Sequence, residues 1–201
     1  MNPAFAHIID DDDAIRDALQ WLFKTRNVAC RAWEGGEQFL AAWQAEWQGC
    51  IVLDIRMAGM SGLECFDALL ARGCRLPVIF ITGHGDVPMA VAALKKGAFH
   101  FIEKPFNDHD LVELVEKALA LDAERLRAAA GREAIEARLA TLTQREREVM
   151  DLILAGKYNK VIADELSISM RTVEAHRSRI FDKMAVRSAV ELVQILTDLR
   201  D

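Results

Sequence analysis

The sequence predicts an α/β domain on a doubly wound, five-stranded parallel sheet, followed by an all-α helix-turn-helix domain. Three observations predict it. From residue 5 to about 120, short apolar runs alternate with amphipathic stretches. The middle runs are almost wholly apolar, as in parallel strands covered on both faces. Beyond about residue 140 those runs stop, and Thr143, Asn159, Ser169 and Ser188 each stand where a helix would be capped.

Taken in order, residues 5–9, 28–32, 50–54, 77–82 and 98–102 read as strands. Amphipathic patterns near 14–26, 36–46, 62–72 and 87–96, and from 108 onward, read as the helices between and after them. Five βα units point to the strand order 2-1-3-4-5. Residues 121–140 are rich in Ala, Glu and Arg and read as a helical connector continuing the helix from 108, with Gly131 its weakest point. Thr143 and Glu146 form a capping box for a helix to about Leu154, which Gly156 stops. Asn159 is expected to cap a helix to about Leu166, Ser169 one to about Met184, and Ser188 a fourth. The 167–169 turn between two of them makes a helix-turn-helix. The organisation expected is 1–120, a connector over 121–140, and 141–201.

Length and composition agree. A chain of 201 residues suits two domains, and 52% apolar with 28% charged residues exclude disordered and fibrous classes. No apolar run reaches membrane-spanning length, and the N-terminus lacks the basic and apolar regions of a signal peptide, so a cytoplasmic protein without a membrane role is expected. Cys30, Cys50, Cys65 and Cys74 form no metal or redox spacing and read as reduced, mostly buried thiols. The net charge of −6 argues against a nucleic-acid partner until it is divided. Residues 141–201 hold 10 basic and 10 acidic side chains, so the deficit lies in the first 140 residues. Within 171–187, five basic residues face two acidic ones.

Ligands of an open α/β sheet bind outside the carboxyl ends of its strands. Asp10 and Asp11 end the first strand there, and Asp54 the third. Crowded carboxylates call for a cation, and an all-oxygen set suits Mg²⁺. Thr82 adds a hydroxyl at the end of the fourth strand, and Lys104 a positive charge after the fifth. A carboxylate nucleophile, a metal, a hydroxyl and a lysine form a set suited to phosphoryl transfer.

These residues sit in stretches that resemble a receiver domain. They are Ile8 to Asp13, Val52 to Met57 with Gly59 to Gly62, Phe80 to Val91, and Gly97 to Phe106. The likeness is to FixJ-type response regulators of two-component systems and covers nearly the whole chain. It implies Asp54 as phosphoacceptor, with Mg²⁺ held by Asp11, Asp54 and the Arg56 carbonyl, and Asp10 assisting through water. It implies Thr82 and Lys104 on the phosphoryl oxygens, Phe101 as the aromatic switch, and a cis Lys104–Pro105 bond. Two positions depart from the family pattern. Ala58 replaces a usual proline, which predicts a looser loop after Asp54, and His100 replaces a frequent aspartate. His84 reads as a loop histidine.

On a helical wheel Val173, Ile180 and Met184 share the core face of the Ser169-capped helix, flanked by His176 and Arg177. The other side presents Arg171, Glu174, Ala175, Ser178, Arg179 and Asp182, with Thr172 and Lys183 at its edges. Leu142 to Val149, Asn159 to Ala163 and Thr172 to Met184 resemble the LuxR-type helix-turn-helix. That likeness implies a recognition helix in the major groove. Lys160, Thr172 and Lys183 are expected on phosphates, Glu174, Ala175 and Ser178 on bases, and Arg171 and Arg179 on either.

The reading is a phosphorylation-controlled transcription factor in a phosphorelay, partnered by a sensor histidine kinase and double-stranded promoter DNA. RNA polymerase is left open as a further partner. Dimerisation on phosphorylation is expected, with the connector either transmitting that geometry or unmasking the DNA-binding domain. The only enzymatic activity expected is self-phosphorylation and slow self-dephosphorylation at Asp54. The rival class is a Mg²⁺ phosphohydrolase of the haloacid dehalogenase type. It needs a second acid two residues after its nucleophile, where this chain has Arg56.

Overall fold

The computed structural model describes residues 3–83 and 87–199, and of Val87, Ala90 and Asp198 only the backbone. The chain divides into two compact units, 1–126 and 127–201.

In the first unit, strands β1 (Ala4–Ile9), β2 (Cys30–Trp33), β3 (Gln48–Asp54), β4 (Val78–Thr82) and β5 (His100–Glu103) form one parallel sheet. Its order is β2-β1-β3-β4-β5. The intervening helices are α1 (Asp13–Thr25), α2 (Gly36–Ala42), α3 (Gly62–Ala71) and α4 (Val87–Lys95). α5 (Asp108–Ala140) follows as one unbroken helix through Gly131. The period-2 alternation of side chains sorts the core into two layers. Ile8, Val52, Ile79 and Ile81 meet α1 and α5 through Leu19, Phe23, Leu111 and Val115. Ile9, Ile51, Leu53 and Phe80 meet α2, α3 and α4 through Phe39, Cys65, Leu69 and Ala93.

Two glycines fit where no side chain would. A Cβ on Gly62 would lie 2.0 Å from the Asp54 carbonyl oxygen, so α3 starts hard against the end of β3. Gly49 has φ +128° and a Cβ there would lie 2.0 Å from the Phe5 carbonyl oxygen. Its N–H donates to the buried Asp122 carboxylate of α5 at 2.8 Å. That bond ties α5 to the start of β3.

The second unit contains α6 (Gln144–Leu154), α7 (Asn159–Leu166), α8 (Met170–Met184) and α9 (Ala189–Asp198). Leu142, Val149, Ile153, Ile162, Val173, Ile180, Met184 and Leu192 form its core. The Thr143–Glu146 capping box is present, and Ser169 and Ser188 cap α8 and α9. Asn159 is not a cap. Tyr158 holds that position, its side chain makes no capping bond, and Asn159 is the first helical residue. Ser167 takes a left-handed conformation, φ 53°, which turns the chain from α7 into α8.

Two boundaries also differ from expectation. α2 ends at Ala42 because Trp43 is extended, ψ 138°, and Trp43 and Trp47 pack against the core on the α2 side instead of prolonging the helix. β2 begins at Cys30, because the Val28 N–H returns to the Phe23 carbonyl and closes the end of α1.

Candidate functional site

The run Asp10–Asp13 illustrates how position on one turn divides identical residues. Asp10 is buried, and its Oδ1 accepts the Asp12 N–H at 2.9 Å. Asp12 caps α1, accepting the Ala14 N–H at 2.8 Å. Asp13 pairs with Arg16 one turn on. Asp11 is exposed and reaches across to the β3–α3 loop, where its Oδ2 accepts the Ala58 N–H at 2.8 Å.

Asp54 ends β3 and is 7% exposed. Lys104 Nζ lies 2.6 Å from Asp54 Oδ1 and 3.3 Å from Asp10 Oδ2, so two buried carboxylates share one ammonium. The Arg56 N–H donates to Asp54 Oδ2 at 2.6 Å. Burial pushes the Asp54 carboxyl above its ordinary range, and the Asp10 charge adds to this, against the opposing pull of Lys104 and the Arg56 amide. Burial pulls Lys104 down, but the Asp54 and Asp10 carboxylates outweigh it and hold the ammonium above the usual lysine value. The site therefore keeps its lysine charged.

Thr82 ends β4, fully buried, its hydroxyl donating to the Gly83 carbonyl at 3.1 Å. The Lys104 N–H donates to the Thr82 carbonyl at 2.8 Å, fixing the end of β5 to the end of β4. The Lys104–Pro105 bond is cis. Phe101 is half-buried in β5 opposite Phe80. Thus Asp10, Asp54 and Lys104 are in direct contact, Thr82 is on the next strand end, and Asp11 is turned to the neighbouring loop. His84 lies outside the described residues.

In the second unit, Arg171, Thr172, Glu174, Ala175, Ser178 and Arg179 all lie on the exposed side of α8, and Lys160 is exposed on α7. Val173, Ile180 and Met184 are fully buried beneath them. Lys183 differs from the others. Its ammonium sits 2.6 Å from Glu146 Oε2 and 3.0 Å from the Thr141 carbonyl. The pairing has a simple cause: Glu146 is buried on α6 and needs a counter-charge, and Lys183, its side chain a third exposed, supplies it as the link between α6 and α8.

Comparison with known proteins decides the family. The response regulator receiver domain model matches residues 6–116, and the model of luxR-family bacterial regulatory proteins matches residues 140–196. The C4-dicarboxylate transport transcriptional regulatory protein DctR of Rhodobacter capsulatus is 51% identical, over 94% of this chain and 97% of its own. FixJ of Azorhizobium caulinodans is 44% identical over 94% of this chain and 90% of its own. The chain belongs to the FixJ-type two-component response regulators. Among solved structures, the response regulator StyR superposes with a TM-score of 0.88 at 38% identity, covering 98% of this chain and 99% of that one. Full-length FixJ from B. japonicum gives 0.63 at 38% identity, covering 100% and 98%. The protein is a transcriptional regulator with a LuxR-type DNA-binding domain, and among the described residues no helix is long and apolar enough to cross a membrane.

Two supporting residues of this response regulator are absent from the sequence reading. The Arg16 guanidinium, buried on α1, donates to the Asp10 carbonyl at 2.7 Å and fixes the acidic turn. Glu37 on α2 accepts the Met60 N–H at 2.8 Å and holds the β3–α3 loop. The one available signal was Arg16 three residues after Asp13; nothing local marks Glu37.

A receiver implies a divalent cation, and the donors present fit one. Asp10 and Asp54 carry two negative charges against the single charge of Lys104, and Asp11 stands beside them in sequence, all hard oxygen donors. Among the described residues no three carboxylates, imidazoles or thiols already stand together as a metal cage. The Asp11 carboxylate accepts the Ala58 N–H.

Proposed function

We propose that Asp54 accepts a phosphoryl group from a sensor histidine kinase and that this controls promoter binding in the cytoplasm. The observation that carries the proposal is Lys104 Nζ, 2.6 Å from Asp54 and 3.3 Å from Asp10 at the open end of the sheet. Asp10, Asp11, Asp54 and the Arg56 carbonyl would hold Mg²⁺, which when bound neutralises phosphoryl charge. An Asp54 carboxylate oxygen attacks phosphorus, the donor's P–N bond breaks, and the histidine leaves with the bond's electron pair and takes up a proton. Lys104 exchanges its carboxylate partner for a phosphoryl oxygen. Self-phosphorylation from small donors and slow self-dephosphorylation are the only enzymatic steps.

Phosphorylation adds about −1.5 to −2 charges. Thr82 turns its hydroxyl from the Gly83 carbonyl to a phosphoryl oxygen, and Phe101 moves into the space released. The α4–β5–α5 face then favours a dimer, whose recognition helices would read half-sites about 34 Å apart. Residues 1–120 act as receiver, 121–140 as helical linker and 141–201 as the DNA-binding domain. Lys160 and Thr172 contact phosphates; Glu174, Ala175 and Ser178 contact bases; Arg171 and Arg179 serve either.

Sedimentation with and without beryllofluoride tests the proposal. A rise from monomer to dimer mass, absent in Asp54→Asn, is expected; unchanged mass with tighter DNA binding rejects dimerisation.

A further inference from the structure

We infer that the Ala58 amide is a positioning group for the cation site: it latches the Asp11 carboxylate onto the β3–α3 loop, and cation binding must open that latch. The inference rests on the receiver reading above and adds a competitor for one of its ligands.

Asp10 and Asp11 are adjacent but face different partners. Asp10 is 2% exposed and turned to Lys104, whereas Asp11 is exposed and accepts the Ala58 N–H at 2.8 Å across 47 residues of chain. An N–H to a carboxylate is a charge-assisted bond, stronger than a neutral one. It engages a lone pair of Oδ2 and fixes the side chain toward the loop. Among the described residues Asp11 does not stand together with Asp10 and Asp54 as a set of cation ligands, so joining a cation beside Asp54 requires its carboxylate to turn from the loop.

The loop has other tethers. Arg56 N–H reaches Asp54 at 2.6 Å, Met60 N–H reaches Glu37 at 2.8 Å, and Gly62 N–H reaches the Ile55 carbonyl at 2.9 Å. The Ala58 link ties the loop to the acidic turn after β1. It exists because residue 58 is not proline, which has no N–H to give. In the metal-free chain Ala58 gives the loop a bond that proline could not, and that bond competes with the ion. Affinity for the cation falls by the fraction of time Asp11 is latched. Release of the loop becomes thermodynamically linked to metal occupancy.

Calorimetric titration of Mg²⁺ into the full chain tests this in wild type, Ala58→Pro and Ala58→Ser. Removing one charge-assisted hydrogen bond at an exposed site corresponds to roughly a tenfold change. Ala58→Pro should bind Mg²⁺ about tenfold more tightly, while Ala58→Ser, which keeps the N–H, should match wild type. A proline ring also fixes φ, so amide exchange in the wild-type chain provides the second measurement. The Ala58 N–H should be protected in EDTA and lose protection at saturating Mg²⁺, while the Met60 N–H keeps its own. Equal affinities for the proline and serine variants, or an Ala58 exchange rate indifferent to Mg²⁺, overturn the latch and leave the receiver reading intact. If Mg²⁺ binds none of the three chains, the receiver reading fails and the latch with it.

Discussion

Lys104 and Asp54 are joined by a 2.6 Å hydrogen bond before any phosphoryl group arrives. Under the proposed function, Asp54 would rest against the cation that later serves the phosphoryl oxygens, and Lys104 would need only to change partners across the same crevice.

That pairing makes the first prediction. With Mg²⁺ and acetyl phosphate, wild type should take up one phosphoryl group, and Asp54→Asn should fall by more than about a hundredfold, measured by intact-protein mass. Asp11→Ala should also fail, but with Mg²⁺ affinity lost as well. Equal uptake by Asp54→Asn would refute the assignment.

His7 supports a pH prediction. It is 1% exposed, stacked on Trp47 with ring centroids 4.7 Å apart, and its Nδ1 accepts the Trp33 indole N–H at 3.3 Å. Burial, helped by the nearby Arg31 charge, lowers its pKa to about 4 from 6.5. The folded chain therefore binds this proton less readily than the unfolded chain. Its contribution is complete above about pH 6.5 and is lost as pH falls toward 4, about 2 kcal/mol between pH 7.5 and 5. All four tryptophans lie at or before residue 47, so urea unfolding followed by indole fluorescence reports this unit alone. His7→Gln should flatten the profile; an unchanged slope would show that His7 is not the titrating group.

Glu146 behaves oppositely. The Lys183 hydrogen bond and the Thr143 amide hold its carboxyl down at about 2. A depressed acid stabilises the fold above its unfolded value of about 4.5, and that stability disappears as pH falls toward 2. Lys183→Met leaves a buried carboxylate without its cation and should destabilise the second unit by about 2 kcal/mol at pH 7. In a double-mutant cycle by helical circular dichroism, Glu146→Gln should add little to Lys183→Met. Full additivity would mean the two residues act separately.

On the DNA face, Glu174→Ala should relax base preference, since a carboxylate can accept from cytosine N4 but repels phosphate. Lys160→Ala should weaken all sequences alike. Competition binding across a set of single-base operator variants separates the two. Uniform loss in both would erase the distinction between reader and clamp.

What was legible in the sequence was local or periodic. The succession of five βα units pointed to the sheet order, and Thr143, Ser169 and Ser188 were readable because a cap acts on an amide three residues away. Asp54, Thr82 and Lys104 were legible because strand ends converge by topology. What was not legible is long-range. Asp11 finds Ala58 across 47 residues, Glu37 finds Met60 across 23, and Lys183 finds Glu146 across 37. A helical wheel for α8 places Lys183 at the edge of a face, but it contains no information about a buried acid on α6.

The Glu146–Lys183 pair also has a consequence measured in dissolved ions. Each protein cation that neutralises a DNA phosphate frees a condensed counterion, contributing about −0.9 to the slope of log affinity against log salt. While Lys183 stays paired with the Glu146 carboxylate, it would release no such ion. Under the proposed DNA contacts the slope would come from exposed cations such as Lys160, Arg171 and Arg179, and a count of basic residues along 171–187 would overstate how steeply rising salt dislodges this domain.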